Sequence, residues 1–365
     1  MSVGRIASVN PKNSQTAIQR SEKHYALGLL TGLLIITCLL SLGTGAVTIE
    51  PLQIIAILGH TAGIDLPWNF TPEQHAVLTT IRSPRLVLGL LVGGTLAVSG
   101  AAMQGLFRNP LADPGLIGIS SGAALAAVSV IVLGPLFLPA LTGWLGSTLL
   151  PLAAFSGGFA VTLLVYRLAT VNGTVNIATL LLAGIAINAL SGSVTGLLVY
   201  LANDEQLRSL TFWSMGSLGG VTWPVLLSGL PFFLLPLIML PMLSRALNAL
   251  LLGEAEAGHL GFPVETIKTV VIILVALGVG VSVALSGIIG FIGLVTPHVL
   301  RLWLGPDHRI LVPGSALLGA TLLLSADLLA RSVAAPAEIP IGIITGLLGS
   351  PFFLWLLLRL KLMGD

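Results

Sequence analysis

The sequence predicts an all-α integral membrane protein with ten membrane-spanning helices. Hydrophobic residues make up 55% of the 365 residues, and charged residues make up only 8%. Soluble domains carry roughly 25% charged residues, so the composition excludes an ordinary soluble enzyme, a disordered chain and a nucleic-acid-binding protein. The apolar segments are continuous rather than alternating, which argues against a transmembrane β-barrel.

The ten predicted spans follow from segment length, because a helix needs roughly 20 apolar residues to cross the hydrocarbon core. One apolar stretch is too long for a single helix, and we divide it between Ser286 and Gly287, where glycine permits a tight reversal. Residues 1–25 are polar and form a predicted cytoplasmic tail, and 26–361 form a single transmembrane domain. The spans are 26–46, 84–105, 116–134, 149–167, 177–201, 224–243, 266–286, 288–304, 309–329 and 340–360.

The distribution of lysine and arginine predicts the orientation of the spans. With a cytoplasmic N-terminus, 12 of the 16 basic residues fall on the cytoplasmic side, as the positive-inside rule requires. Both termini are then cytoplasmic. The exceptions on the outer side are Arg82, Arg85, Arg208 and Arg331, and their position calls for a functional reason.

Several chemical signatures do not occur in the sequence. There is no G-x-x-x-x-G-K-[ST] phosphate-binding loop, Cys38 is the single cysteine, and no Cys/His cluster suggests a metal site. We therefore expect no cofactor or metal on this chain. Acidic residues are nearly absent from the spans, with Asp327 near the outer end of the ninth. Proton- or sodium-coupled transporters usually use such carboxylates, so we expect another subunit to supply the energy.

Small residues recur at every fourth position in two spans. Close helix contact is the usual purpose of such faces, and we expect it for the second span. In the fifth span, Asn188 lies at mid-span, where an amide that faced lipid would be costly. For Asn188 and Gly192, helix packing and a pore-lining role both stay open. The two sets are Gly89, Gly93, Ala97, Ala101 and Gly105, and Gly184, Asn188, Gly192 and Gly196.

Six motifs carry a resemblance to a known family. They are RSPRLVLGLLVGGTLAVSGAAMQGLFRNPLADPGLIGISSGAA at 82–124, LLLAGIA at 180–186, FWSMGSL at 212–218, LLGEAEAGHLGF at 251–262, SGIIGFIGLVTPHVLRLWLGPDHRILVPGS at 286–315, and LLSADLLAR with EIPIGIITGLLGSP within 323–351. In this order they resemble the FecCD-type ABC importer permeases for iron chelates and cobalamin. The resemblance covers residues from about 26 to 361.

The resemblance implies a type II ABC importer permease fold in the bacterial inner membrane. It further implies a homodimer of permeases, two ATPase subunits that bind ATP and Mg on the cytoplasmic side, and a periplasmic substrate-binding protein. On this interpretation the chain is a pore-forming subunit and not an enzyme. A secondary transporter or channel that works alone is the alternative from a different class.

The resemblance assigns Arg82, Arg85 and Arg331 to the docking of glutamates on the binding protein. The physical argument is independent, since outward arginines suit an acidic partner and bind carboxylates bidentately. Glu338 follows Arg331 in the same outer loop and is a candidate partner for it. Arg208 could meet an anionic chelate or a haem propionate at the outer mouth, or pair with Asp204 four residues earlier.

The predicted cytoplasmic loop at 244–265 resembles the loops that form the ATPase-coupling helices of the family. Its residues 255–260 can form two short turns that end at a glycine. Those we expect to take part in ATPase coupling are Gly253, Glu254, Ala257, His259, Leu260 and Gly261.

The resemblance also implies an inner gate built from two loops. Asn109 and Leu111, in RNPLADP, match one gate position, and Ile177 and Ala178, in NIAT, lie at the other.

The substrate branch is predicted from LSLGTGAVTI at 40–49 together with FWSMGSL, which look more like the iron branch. We expect an iron chelate, with haem favoured over a ferric siderophore and cobalamin as the alternative. A metal-ion permease is disfavoured because the spans lack ligand clusters.

Overall fold

The computed structural model describes residues 11–137, 145–335 and 337–362, so Arg5 of the predicted tail lies outside the described residues. A π-helical turn (Val77–Arg82) leads into the second long helix, and 3-10 turns (Pro114–Ile117 and Gly146–Thr148) precede two others. The strands β1 (Thr170–Val171) and β2 (Thr174–Val175) form an antiparallel hairpin. The α-helices of the described residues are α1 (Pro11–Gly43), α2 (Pro51–Thr61), α3 (Pro72–Ala76), α4 (Ser83–Leu106), α5 (Ile119–Phe137), α6 (Leu149–Ala169), α7 (Ile177–Leu201), α8 (Asp204–Met215), α9 (Trp223–Met242), α10 (Ser244–Leu252), α11 (Glu254–His259), α12 (Val264–Ser286), α13 (Ile292–Leu304), α14 (His308–Val333) and α15 (Ile341–Leu362).

Seven helical segments of the described residues are long and apolar enough to cross a membrane, and each coincides with a predicted span. The remaining spans, 116–134, 288–304 and 340–360, coincide with shorter apolar stretches on α5, α13 and α15. The helix α13 has 13 residues and is therefore about 20 Å long, which is short against a hydrocarbon core of about 30 Å. The count of ten crossings thus stays a prediction.

The predicted break in the long apolar stretch after the seventh span is confirmed. The helix α12 ends at Ser286, and Gly287 follows with a φ of 69°. A Cβ at this glycine would overlap the carbonyl oxygen of Trp213, so both the backbone conformation and the space require glycine.

The helix α4 lies at the centre of the main core and packs against α9, α12, α13 and α14. Small residues are the reason for this position, both in the predicted set, which includes Gly93, and outside it, as at Gly100. A Cβ at Gly93 would overlap the backbone of Gly319, and a Cβ at Gly100 would overlap the carbonyl oxygen of Gly293. Glycines thus allow backbones to touch directly, as small-residue interfaces do in membrane proteins. Packing of the second span is confirmed.

A second group of helices consists of α5, α6 and α7. Its closest approaches again lie at glycines, since Gly122 abuts Gly157 and a Cβ at Gly184 would overlap the carbonyl oxygen of Leu116. Beyond Gly184, most of α7 is exposed, and added Cβ atoms at Gly192 and Gly196 would meet open space.

The short helices α2, α3 and α8 flank the long ones at the end of the bundle that the charge distribution predicts to be outside. Local capping accounts for each. Glu50 with Gln53, Thr71 with Gln74, and Asn203 with Gln206 form reciprocal capping boxes at their N-termini. We call this end the predicted outer end, and the opposite end, with α10, α11 and the hairpin, the predicted inner end.

Candidate functional site

The predicted outer end holds an ion cluster made of Arg85, Arg331, Asp327 and Glu338. The carboxylate of Asp327 is 1% exposed and accepts from Arg85 Nη2 at 2.8 Å, while Arg331 Nε lies 3.1 Å from it. Arg85 also donates from Nη1 to Glu338 Oε1 at 2.8 Å and from Nη2 to Oε2 at 3.0 Å. We call these four residues the outer ion cluster. It joins the start of α4, the end of α14 and the loop before α15.

Asp327 is the residue of this cluster that the sequence analysis left without a role. Its spacing of four residues from Arg331 on a helix was the available signal. The expected pair between Glu338 and Arg331 is replaced by the bidentate pair between Glu338 and Arg85. The hydrogen bonds from Arg85 hold the pKa of the Glu338 carboxyl below its ordinary value. Glu338 is therefore an anion at neutral pH.

Arg82 does not point outward as the docking prediction supposes. The residue is 6% exposed, and its guanidinium donates to the carbonyl oxygen of Leu42, in the last turn of α1, and to that of Val47, in the turn that follows. A turn has carbonyls that no helix satisfies, and a buried arginine is an effective donor to them. Arg82 holds the turn in place in this structure, and only Arg85 and Arg331 lie in the outer ion cluster.

A cavity of about 250 Å³ opens beside the outer ion cluster. Arg85, Asp327 and Glu338 line it on one side, and Phe212 lies among its apolar lining residues. The side chain of Glu338 is 49% exposed, so this one of the two carboxylates paired with Arg85 is accessible from outside. A carboxylate from another protein could therefore reach Arg85 by displacing Glu338.

Arg208 lies on the exposed face of α8, near the predicted outer end. The expected pair with Asp204 does not form, and Arg208 makes no salt bridge with any residue in the described ranges. The helix is tied to α5 because Gln206 donates to the carbonyl oxygens of Ile131 and Val132. Arg208 is thus an outward cation on an anchored helix.

The segment predicted to couple to an ATPase folds as the short helices α10 and α11. Gly253 between them has a φ of 133°, and Gly261 after them has a φ of 86°, so both positions need the conformational freedom of glycine. His259 is exposed and Leu260 is 60% exposed, as contact residues would be. The short helix ended by a glycine is confirmed.

Two of the predicted coupling contacts have other roles in this structure. Ala257 has no exposed surface and belongs to the main core, so we correct its assignment to a packing residue. Glu254 lies at the start of α11 and forms an ion pair with Lys268 at 2.9 Å. Its carboxylate therefore already has a partner within the chain.

The predicted gate residues lie on two inner loops. Asn109 Oδ1 accepts from the backbone N–H of Leu111 at 2.9 Å, and both side chains are exposed. Ile177 is half-buried and Ala178 is exposed, at the first turn of α7. Within the described ranges no side-chain hydrogen bond joins the two pairs, and their gating role stays a prediction.

Asn188 has its amide satisfied within the chain. It donates from Nδ2 to the carbonyl oxygen of Gly115 at 3.2 Å and accepts from the hydroxyl of Ser121. These bonds join α7 to α5 and to the turn before it, so the packing alternative accounts for Asn188. Gly192 lies one turn further along and faces open space.

Histidines supply no evident ligand site. His298 is buried beside Phe352 and Phe353, and both of its ring nitrogens lack a hydrogen-bond partner. His60 and His75 lie near Phe70 at the predicted outer end. Within the described part of the chain, no group of three or more His, Cys, Asp or Glu residues is arranged to hold a metal ion.

Comparisons with known proteins agree with this architecture. The family model of the FecCD transport family matches residues 33–359. The hemin transport system permease HmuU of Yersinia pestis is 47% identical over 340 residues, which cover 93% of this chain and 97% of that protein. The vitamin B12 import system permease BtuC of Escherichia coli O9:H4 (strain HS) is 43% identical over 293 residues, which cover 80% and 86%. A solved metal-chelate type ABC transporter in an inward-facing conformation has a TM-score of 0.78 and 35% identity, over 91% of this chain and 98% of that chain.

Proposed function

The chain belongs to the FecCD transport family and is an ABC importer permease, and from this premise we propose that it carries an iron chelate, with haem favoured. The observation that carries the substrate proposal is the 47% identity to a hemin permease along 93% of this chain. The vitamin B12 permease matches over a smaller share, 80%. Cobalamin is therefore the alternative substrate.

The exposed side of α7 supports a large amphipathic substrate. Gly192 leaves open space beside the helix, and the neighbouring exposed residues are mostly apolar. Haem is a flat apolar ring with two propionates, so it suits a path lined by small apolar groups with a cation at the mouth. Arg208 is such a cation.

We also propose that the permease works as a homodimer. Leu182, Ile185, Leu190 and Leu197 on α7 are all exposed large hydrophobic residues. In a membrane, lipid or a second subunit must cover these residues. If two copies of α7 face each other in a dimer, the transport path lies between them and is closed off from lipid. Ten crossings with both termini in the cytoplasm, in the bacterial inner membrane, complete this proposed topology.

The energy source in this proposal is a separate ATPase that binds ATP and Mg. The sequence has no phosphate-binding loop of its own, and the exposed His259 and Leu260 at the predicted inner end offer it a contact surface. Closure of two ATPase subunits would shift α10 and α11 and switch the path between outward- and inward-facing states. No residue of this chain performs covalent chemistry in this scheme.

A periplasmic binding protein docks at the predicted outer end in this proposal, with Arg85 and Arg331 as its cationic contacts. Arg85 is paired with Asp327 and Glu338 in the free chain, and Arg331 is bound by Asp327 and by oxygens of Ser41 and Thr44. At Arg85, a docking glutamate would therefore exchange with Glu338 rather than meet a free arginine. The exchange keeps each guanidinium paired throughout, which avoids the penalty of an uncompensated buried charge.

The substrate is tested by ATP hydrolysis in liposomes that contain the permease and its ATPase. The cognate binding protein is added empty, or loaded with haem, a ferric siderophore or cobalamin. We expect haem to give the strongest stimulation. Stimulation by cobalamin alone would overturn the substrate proposal and leave the family assignment intact. Stimulation by the ferric siderophore alone would mean that the substrate is an iron chelate other than haem.

A further inference from the structure

A buried lysine links three separate elements at the predicted inner end. The side chain of Lys268, in the second turn of α12, is 1% exposed. Its Nζ lies 2.9 Å from Glu254 Oε2, 2.6 Å from Glu265 Oε1 and 2.8 Å from the carbonyl oxygen of Val175. An ammonium group has three donor hydrogens, and these three acceptors use all of them.

The backbone of Val175 is held from both sides by this arrangement. Its carbonyl accepts from Lys268, and its N–H donates to Glu265 Oε2 at 2.7 Å. Two bonds to one peptide segment fix the position of strand β2, whatever side chain stands there. We call Lys268, Glu254, Glu265 and Val175 the inner polar node.

Strand β2 leads directly into α7. Val175 pairs with Thr170 in the hairpin, and Asn176 caps the helix by accepting from the N–H of Thr179 at 3.0 Å. The helix α7 begins at the next residue, Ile177. A shift of β2 therefore displaces the first turn of α7, where the exposed Ala178 lies.

The opposite side of the node is α11. Glu254 is the first residue of that helix and the one that touches Lys268. The proposed ATPase contacts, His259 and Leu260, lie one and a half turns further along. A rigid movement of α11 would thus pull on Lys268, and through Lys268 on the hairpin.

We propose that Lys268 is a positioning residue that transmits the movement of α11 to the hairpin and the inner end of α7. The inference rests on the proposed function, because it takes α11 as the ATPase contact. A lysine suits the role because its buried charge is costly without a partner. When Lys268 moves, the carboxylates paired with it are therefore expected to move as well. Both carboxylates are partly exposed, at 40% and 38%, so water can solvate them if the lysine is removed.

The experiment compares Lys268→Met with the wild type in the reconstituted permease–ATPase complex, and measures the substrate taken up per ATP hydrolysed. We expect the complex to assemble and to hydrolyse ATP, while this ratio falls about tenfold, which is within the range of coupling free energies between sites. A purely structural role would instead lower assembly, hydrolysis and uptake together and leave the ratio unchanged, and that result would overturn the proposal.

Glu254→Gln keeps the inference testable if the lysine variant fails to fold, because Glu254 is partly exposed and Lys268 retains Glu265. We expect a similar fall in the ratio, and no further fall in the double variant, since both changes break one link. Tyr166→Phe is the matched control. It removes the 2.9 Å bond between Tyr166 and Thr269, which joins α6 to α12 at the same level without touching α11.

Hydrogen exchange of residues 170–178 gives a second readout in the assembled complex. In the wild type, ATP should change exchange in this segment, and in Lys268→Met the change should be lost. An ATP-dependent change of equal size in both proteins would refute the link. If the wild type itself neither assembles with the ATPase nor couples, the proposed function fails, which is a distinct outcome from a variant that stays coupled.

Discussion

Asp327 is the residue on which the outer ion cluster depends most. Its carboxylate is 1% exposed and neutralises Arg85 and Arg331, whose side chains are 12% and 11% exposed. Replacement with alanine would leave two nearly buried guanidinium groups beside each other, with Glu338 as the one remaining carboxylate of the cluster. The variant would also lose the Asp327–Arg85 ion pair, which joins α14 to α4 at this end.

The expected loss follows from the chemistry of buried ion pairs. Breaking such a pair by removing one partner costs about 3–5 kcal/mol, because the other charge stays buried without compensation. Here some of this is recovered, since Glu338 still holds Arg85, so we expect about 3 kcal/mol. A loss of that size lowers the equilibrium constant for folding more than a hundredfold. Thermal unfolding of the purified permease in detergent measures it as a lower Tm.

Asp65→Ala is the matched control for this experiment. Asp65 also binds a neighbouring side chain, since its Oδ1 lies 2.8 Å from His60 Nδ1, but the side chain of Asp65 is 89% exposed. Exposed pairs contribute about 0–1 kcal/mol, so the control should leave the Tm almost unchanged. Equal Tm values for Asp327→Ala and the wild type would refute the reasoning from burial.

Three further predictions address packing, docking and coupling. Gly100→Ala should lower the Tm by the equivalent of about 1–3 kcal/mol, because the added Cβ would overlap a backbone oxygen of α13. Gly346→Ala is the control and should leave the Tm unchanged, since Gly346 has open space around it. Equal Tm values for the two variants would contradict this account of α4. Glu338→Gln should tighten binding-protein docking about fivefold at pH 7, the effect of an exposed pair, because it weakens the bond that occupies Arg85. The folded pKa of Glu338 lies below the ordinary 4.5, so the stability that its pair contributes is complete above pH 4.5 and is lost as the pH falls through the folded pKa. Unchanged docking at pH 7 together with unchanged acid stability would count against the exchange model. Leu260→Asp should weaken ATPase binding about 30-fold, as loss of an interface anchor does. The Tm should not change, since Leu260 is 60% exposed. Undiminished co-purification of the ATPase with this variant would exclude the contact.

Much of the helical architecture was predictable from the sequence, because membrane helices leave a strong local signal. The apolar segments located the long helices, and the four-residue spacing of small residues identified the face of α4 that packs at Gly89 and Gly93. The end of α12 before Gly287 followed from the length of the apolar stretch. The short helix α13 marks the limit of this reasoning, since 13 residues are too few to establish a crossing by length alone.

The candidate sites were less predictable, because they depend on contacts between distant parts of the chain. Arg82 was expected outward with Arg85, but the end of α1 and the turn after it, 35 to 40 residues earlier, supply the carbonyls that bind its guanidinium inside the protein. Lys268 meets Val175 across 93 residues, and no spacing rule connects such positions. Ala257 shows the same limit, since a six-residue helix does not reveal which side meets the core.

The central claim, that this permease moves its substrate with energy from a partner ATPase, is tested most directly by uptake into proteoliposomes. Haem-loaded binding protein is supplied outside the vesicles, and uptake is measured with ATP, without ATP, and with a catalytically inactive ATPase. The account predicts haem uptake that needs ATP, the active ATPase and the binding protein together. Uptake of equal rate without ATP, driven by a substrate or ion gradient alone, would contradict it and favour a secondary transporter.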